Sequence, residues 1–489
     1  MQTDVPDSRV DLLNDAEVDP DGQYVLYWMT SHRRTAHNFA LQRAVDWSRH
    51  VGRGLLVLEA LRCDYEWASE RHHRFVLDGM ADNLAALTGR RGVTYYPYVE
   101  GSVGEGKGLL ESLAESAAVV VTDYYPTFFV PRMLGAVSQR LNARLEAVDS
   151  NGLVPMRSTD RVYPTAYTFR RYLQKVLPAH LDRAPLEDPV GGLAGLDRPT
   201  VPGPILARWP SADAALASGG PDLRSLPLDR SVPATHLRGG ERAAVDRLDG
   251  FLRGALDRYA DERSQPDADA ASGLSPYLHF GHISAHQVLE HLAAHEDWSP
   301  DFEGRPTNGK RSGWWGMTPP AEAFLDELVT WRELGFNMAA LRSDHREYES
   351  LPEWARKTLE EHASDPRPYV YTLEQLDGAS THDELWNAAQ RQLRREGVIH
   401  NYLRMLWGKK ILKWTATPRE AARFMIELNN RYALDGRDPN SYSGIYWCLG
   451  RYDRPWGPER PVFGKIRYMT SANTARKLRV KGYMERFAR

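Results

Sequence analysis

The chain has 489 residues, 42% hydrophobic and 26% charged, an ordinary globular composition long enough for two or three domains. It has no apolar run of about 18 residues, its start MQTDVPDSRV lacks the basic-then-apolar pattern of a secretory signal, and Cys63 and Cys448 are its two cysteines; membrane, secreted, disulfide, structural-zinc and iron–sulfur classes drop out, and a cytoplasmic protein with no metal site is expected. The net charge of −3 hides an asymmetry, because residues 391–489 carry 22 Lys and Arg against 8 Asp and Glu, a net of +14, and the remainder carries −17. A basic segment on an acidic body suits a polyanion-binding surface, and it equally suits solvated helix faces.

From about residue 20 to 150, short runs rich in Val, Leu and Tyr alternate with helical stretches. YVLYWM (24–29), GLLVLEA (54–60), VTYYPYV (93–99), AVVVTDYY (118–125) and RLEAVD (144–149) read as buried parallel strands. Helices are expected near Asn38–His50 and from Trp67 to Leu87. The alternation predicts a doubly wound, Rossmann-like α/β domain over 20–177. Residues 178–235, rich in Pro and Gly, read as a long connection over the surface. From 236 to 489 helical patterns dominate, as in PREAARFMIELNNRY, and an all-helical domain is expected. Ten of the 14 tryptophans lie at or beyond residue 298, in keeping with base stacking, flavin chemistry or an aromatic core.

One motif is set aside. Gly101-Ser-Val-Gly-Glu-Gly-Lys107-Gly108 resembles a phosphate-binding loop, but Gly108 stands where a hydroxyl must hold Mg²⁺, and Asp123 is the one candidate acidic partner. A flexible glycine loop is the expectation.

Four clusters in the helical half carry the chemistry. In Ala271-Ser272-Gly273-Leu274-Ser275-Pro276, small hydroxyl residues precede a helix whose first N–H groups can bind a phosphate. Glu327 and Trp331 are four apart, on one helical face, an acid beside a ring that suits a flat heterocycle; an exposed salt-bridge helix with one buried Trp has the same spacing. In His400-Asn-Tyr-Leu-Arg404-Met405-Leu-Trp407, followed by Trp414, an arginine within an apolar helix needs a carboxylate, for which Asp435 is placed in Leu-Asp435-Gly436-Arg-Asp. Ser443-Gly-Ile-Tyr-Trp447 offers another ring beside a glycine.

With these runs in view, residues from about 20 to 485 resemble the class II cyclobutane pyrimidine dimer photolyases of the photolyase/cryptochrome superfamily. The likeness rests on TyrValLeuTyrTrp28Met-Thr-Ser-His-Arg-Arg, His-Asn-Tyr-Leu-Arg-Met-Leu-Trp407, Leu-Asp435-Gly-Arg-Asp-Pro-Asn440 and Val-Phe-Gly-Lys465-Ile-Arg467-Tyr-Met. Leu406 stands where relatives often carry an aromatic residue.

The resemblance implies an α/β antenna domain and a helical domain binding FAD in a folded conformation. Ser272, Gly273, Leu274 and Ser275 would hold its diphosphate, with Tyr259 nearby. Arg404 and Asp435, with Gly436, would lie beside the isoalloxazine, and Asn429 near flavin N5, with Asn430 and Asn440 as competitors. Trp331 and Trp447 would flank a flipped lesion, Glu327 would hydrogen-bond a thymine, and Met405 would line the pocket. Trp407, Trp386 and Trp414 would carry electrons to the flavin from the surface. Arg454 and Arg467 would hold DNA phosphates around the vacated duplex site. The implied activity is light-driven dimer splitting by an electron lent from FADH⁻ and returned, on UV-damaged DNA, by a monomer. A deazaflavin antenna pigment is a further expectation. The rivals are a photoreceptor or a (6-4) repair enzyme on the same fold, and a flavin-free DNA-binding protein.

Overall fold

The computed structural model describes Met1 and residues 3–488. The chain forms two compact units, one of Met1–Asp160, Val176–Asp249 and Leu274–Pro300, the other of Arg161–Lys175, Gly250–Gly273 and Asp301–Arg489.

The first unit is built on a six-stranded sheet: β1 (Val10–Leu12), β2 (Tyr24–Met29), β3 (Leu55–Leu61), β4 (Val93–Val99), β5 (Ala117–Asp123) and β6 (Leu145–Val148). The spatial order is β1-β6-β5-β2-β3-β4, parallel except for β1, which pairs antiparallel with β6 at the edge. Every residue of β2 is buried, because helices cover both faces of the sheet and such a strand reads as a continuous apolar run. On one face Val25, Tyr27, Val57, Val119 and Val121 pack against Phe39, Leu41 and Val45 of the helix Phe39–Val51. Asn38 caps that helix by accepting from the N–H groups of Ala40 and Leu41, and Gly52 ends it at φ 67°.

The strand order reverses between β2 and β5, where an open sheet usually leaves a ligand crevice at the strands' carboxyl ends. Here Asp123 occupies it. Its carboxylate accepts from the Tyr27 hydroxyl at 2.7 Å and from the N–H groups of Thr30, Ser31 and His32 at 2.7, 2.7 and 2.9 Å. Burial pushes that carboxyl up, but His32 and these donors outweigh it and hold it below its ordinary value. Asp123 is therefore a structural acid.

The glycine loop after β4 is likewise occupied by its own side chains. Glu100 Oε1 accepts from Gly104 and Gly106 N–H at 3.0 and 3.1 Å, and Glu105 Oε2 from Gly101 and Ser102 N–H at 3.1 and 3.0 Å. The loop expected to be flexible is braced by two carboxylates.

Residues 178–235, expected as a long connection, contain the short helices Pro178–Leu181, Gly203–Arg208 and Asp213–Ala217. Trp209 anchors this segment: it is fully buried and donates from its indole to the Glu105 carbonyl at 2.8 Å. Among the described residues no helix is long and apolar enough to cross a membrane.

The second unit is helical, and its packing depends on two glycines. A Cβ on Gly408, in the helix Asn401–Trp414, would lie 2.5 Å from Cys448 Sγ and 2.9 Å from Met425 Sδ, so only glycine lets that helix approach Pro418–Tyr432 and Pro439–Cys448 so closely. A Cβ on Gly335, in Arg332–Leu341, would lie 2.9 Å from Asn440 Cα. Proline at the first helical position and a capping Thr417 or Asp438 start the Pro418 and Pro439 helices.

Candidate active site

The helix Asn401–Trp414 carries Arg404, and the turn after Pro418–Tyr432 carries Asp435. Arg404 Nη2 lies 2.9 and 3.1 Å from the two carboxylate oxygens of Asp435. Arg437, buried and at φ 66°, shapes this turn, and its N–H donates to Asn430 Oδ1 at 2.9 Å. A second guanidinium nitrogen, Arg404 Nε, is buried with no hydrogen-bond partner. A buried charged donor left unmatched in this way points to a missing acceptor.

The three asparagines near this pair have different duties. Asn430 is fully engaged, donating to the Tyr442 hydroxyl at 3.0 Å and accepting from Arg437 N–H. The Asn440 side chain is exposed. Asn429 is buried, and its amide nitrogen donates to Ser441 Oγ at 2.8 Å and to Asn430 Oδ1 at 3.3 Å, which fixes the amide's orientation.

Glu327 and Trp331 stand on a π-helical turn, Asp326–Trp331, set between α-helical Pro319–Leu325 and Arg332–Leu341. The regular α-helix expected from their spacing is interrupted there, with Arg332 N–H bonding the Glu327 carbonyl five residues back. Such turns recur at functional sites. A buried pair braces the turn, Arg170 Nε to Asp326 Oδ1 at 2.7 Å, and Arg170 also donates to the Gly309 carbonyl at 3.1 Å.

Glu327 does not stand alone. Arg263 Nη1 is 2.6 Å from Glu327 Oε1, and the Arg263 guanidinium lies 5.5 Å from the centre of the Tyr259 ring. Burial pushes the Glu327 carboxyl up, opposed by Arg263. Sequence reasoning missed Arg263, which reads as one more charge in the run DRYADER; its place four residues after Tyr259 was the signal.

Trp331 and Trp447 are stacked on each other, ring centres 4.7 Å apart and planes 19° from parallel. No base fits between rings so close, so the two form one wall rather than opposed jaws. Met405 is half-buried, and its carbonyl faces Cys448 Sγ at 3.8 Å.

The remaining tryptophans form a buried tract. Trp386 donates from its indole to the Trp407 carbonyl at 3.0 Å, Trp407 donates to Gln390 Oε1 at 2.8 Å, and the rings of Trp386 and Trp414 meet edge to face at 5.6 Å. Trp414 is only 1% exposed, which corrects the expectation that this tract begins at the surface. Tyr371 and His382 contact its ring at 5.5 and 5.2 Å, and His382 stacks at 3.8 Å on Tyr369, whose exposure is 48%.

Ser272 and Gly273 close one segment of the helical unit, with Gly273 at φ 68°; Leu274 and Ser275 belong to the other unit, where Ser275 begins the short helix Ser275–His279. Arg454 and Arg467 are exposed and share one ring, their guanidinium groups 4.8 and 4.3 Å from the centre of Trp456. Asp453 accepts from the Trp456 indole at 3.0 Å and pairs with Arg467 at 3.3 Å. Trp456 was not read from the sequence as their organiser. Among the described residues no group of three or more His, Cys, Asp and Glu is placed to hold a metal ion.

No protein-family model matches the chain. Near full-length likeness to named proteins is nevertheless clear. The deoxyribodipyrimidine photo-lyase of Methanothermobacter thermautotrophicus is 33% identical over 98% of this chain and 97% of its own length. The enzymes of the same name from Oryza sativa subsp. japonica and Potorous tridactylus are 35% and 31% identical, over 98% and 96% of this chain and 90% and 83% of their own. In fold, the chain is similar to a bacterial class III photolyase from Agrobacterium tumefaciens, with a TM-score of 0.67 and 18% identity, covering 95% of this chain and 86% of that one. With identities above 30% across almost the whole sequence, this chain belongs to the deoxyribodipyrimidine photo-lyase family.

Proposed function

We propose that this chain is a light-dependent DNA repair enzyme that splits cyclobutane pyrimidine dimers, of the class II type, acting as a monomer. The family implies a flavin, and the residues present suit one: Arg404 Nε is an unmatched buried donor, Asp435 balances the arginine, and Asn429 is held in one orientation. When bound, FAD supplies light absorption and the loan and return of one electron. Arg404, Asp435, Gly436 and Asn429 would hold its ring system, and Tyr259, Ser272 and Gly273 of the same unit its diphosphate side.

The lesion side is the Trp331–Trp447 wall with Glu327 and Met405. A dimer inside the duplex must be extruded, at a cost of about a few kcal/mol that is smallest at a damaged step. The wall receives its apolar face by stacking, and Glu327 provides a hydrogen-bonding edge. Arg263, 2.6 Å away, offsets the carboxylate's charge, so the pair presents a nearly neutral edge to the pyrimidine carbonyls as they gain electron density. Arg454 and Arg467, held on Trp456, supply phosphate contacts, and the +14 segment supplies the longer-range attraction.

The observation that carries this reading is the presence, in one helical unit, of the matched Arg404–Asp435 pair and the stacked Trp331–Trp447 wall. The test is incubation of reduced, flavin-loaded protein with a dimer-containing oligonucleotide in light and in darkness. Restored thymines in light alone are expected, and their absence rejects the proposal.

An antenna pigment, for which a deazaflavin is the proposed class, would belong to the α/β unit. There Tyr65, Trp67, Phe128 and Phe129 form a partly exposed aromatic cluster, with Trp67 and Phe128 stacked at 6.2 Å and both at positive φ, 64° and 61°. Bulky residues hold such backbone angles only where their surroundings impose them. A second chromophore in the purified protein, lost from Trp67→Ala, is the expected result.

A further inference from the structure

We propose that Lys410 and Asp383 set the energy of the last electron-transfer step, between Trp386 and Trp414. The inference rests on the reading of Trp407, Trp386 and Trp414 as the route by which the flavin is photoreduced.

Lys410 leaves the helix Asn401–Trp414 four residues before Trp414, and its ammonium lies 5.2 Å from the centre of that ring. It is buried, and its charge is matched by Asp383, Nζ to Oδ2 at 2.8 Å. Asp383 is the N-cap of the helix Glu384–Glu396, and its other oxygen accepts from Trp386 N–H at 3.1 Å. Ser471 Oγ donates to the same carboxylate at 2.5 Å. Lys410, Ser471 and the cap together hold the Asp383 carboxyl below its ordinary value against the burial that pushes it up. One carboxylate thus fixes the backbone of one ring's helix and the cation over the other ring. His382 and Tyr371 also face Trp414.

In the step itself, Trp414 gives one electron to oxidised Trp386. Trp414 is oxidised and Trp386 returns to its neutral form, having earlier passed its own electron through Trp407 to the photoexcited oxidised flavin. No proton moves. The positive charge therefore travels toward Lys410, and a cation at 5.2 Å inside a buried site opposes it, while Asp383, paired to that cation at 2.8 Å, reduces the opposition. The pair acts as positioning residues that set how far the charge settles on Trp414, and with it how long charge separation lasts before recombination.

The test is time-resolved absorption of flavin-loaded full-length protein after a light pulse. Lys410→Met, which keeps the length and removes the charge, is expected to move the Trp386–Trp414 balance toward Trp414 by roughly tenfold and to slow recombination. Asp383→Asn keeps the helix cap, since Asn caps as well as Asp, and removes a negative charge that acts on both rings, so it is expected to change the balance by less than Lys410→Met does. Lys410→Arg is expected to match the parent protein. A charge effect is kept by Lys410→Arg and lost in Lys410→Met, whereas loosened packing would disturb both; no shift in Lys410→Met, or a shift of the same size in Lys410→Arg, overturns the proposal. Should Lys410→Met fail to fold, Lys410→Gln, which also removes the charge, carries the same test. Trp386→Phe separates the two levels: if it photoreduces like the parent, the tryptophan route itself is wrong and the proposal falls with it, whereas loss of photoreduction there with no shift on removing the Lys410 charge rejects the Lys410–Asp383 inference alone.

Discussion

The indole N–H of Trp386 donates to the main-chain carbonyl of Trp407 at 3.0 Å, so one ring hangs from the residue that carries the next. A phenylalanine in place of Trp386 keeps most of the packing and removes both this bond and the redox-active ring. Trp386→Phe and Trp407→Phe are each expected to lose photoreduction, followed by the flavin spectrum under steady light, while chemically reduced protein still repairs dimers. Repair lost together with photoreduction would show that these rings serve the lesion site instead.

The Arg404–Asp435 pair makes a second, sharper demand. Asp435→Ala leaves a largely buried guanidinium without its carboxylate, which costs about 3–5 kcal/mol. Urea denaturation of flavin-free protein is expected to show a loss of this size. Flavin retention on gel filtration should fall in parallel, and unchanged retention would remove the pair from the cofactor site.

Gly408 yields a packing prediction. Gly408→Ala drives a methyl into Cys448 Sγ and Met425 Sδ, and overpacking of this kind costs about 1–3 kcal/mol. Adding Cys448→Ala relieves the nearer clash, so the double variant is expected to recover part of the loss in urea midpoint. No recovery would mean the helices, rather than the two sulfur atoms, set the spacing.

Lys409 gives a pH signature. It is buried, its ammonium donates to the Cys448 carbonyl at 2.7 Å, and burial depresses it from 10.5 to about 8. Between those two values the unfolded chain binds more protons than the folded one, so this group adds stability as pH rises through that window, and below about 8 its whole penalty remains. Stability measured against Lys409→Met is therefore expected to shift in favour of the parent chain as pH rises from about 8 to about 10. A difference that stays flat across this range would show that the amine is not desolvated.

Arg454→Ala and Arg467→Ala are each expected to weaken binding to damaged DNA and to lessen the steepness of its salt dependence, because each removes about one phosphate contact. Trp456→Ala, which removes no charge, is expected to weaken binding as well, since it removes the ring on which both guanidinium groups rest.

Much of the α/β unit was legible in the chain. The runs 24–29 and 93–99 coincide with β2 and β4, because strands buried on both faces must be apolar throughout. β1 was missed, since three residues pairing antiparallel at a sheet edge have no periodicity to read. In the helical unit, Pro418–Tyr432 announced itself through its proline start and its apolar spacing. The π turn did not, because Asp326–Trp331 has an unremarkable composition and its irregularity comes from tertiary constraints such as Arg170 on Asp326. The Arg404–Asp435 pairing was deducible because a charge within an apolar helix requires a partner. Arg263 was hidden because its run is highly charged, and the partner that gives it meaning is 64 residues further on.

The glycine loop after β4 is filled by its own carboxylates. Any phosphate entering it must displace Glu100 and Glu105, which are tethered within the loop and so compete at an effective concentration in the millimolar range or above. The chain has in effect supplied this loop with a permanent resident ligand, and nucleotide levels in its surroundings have little influence on it.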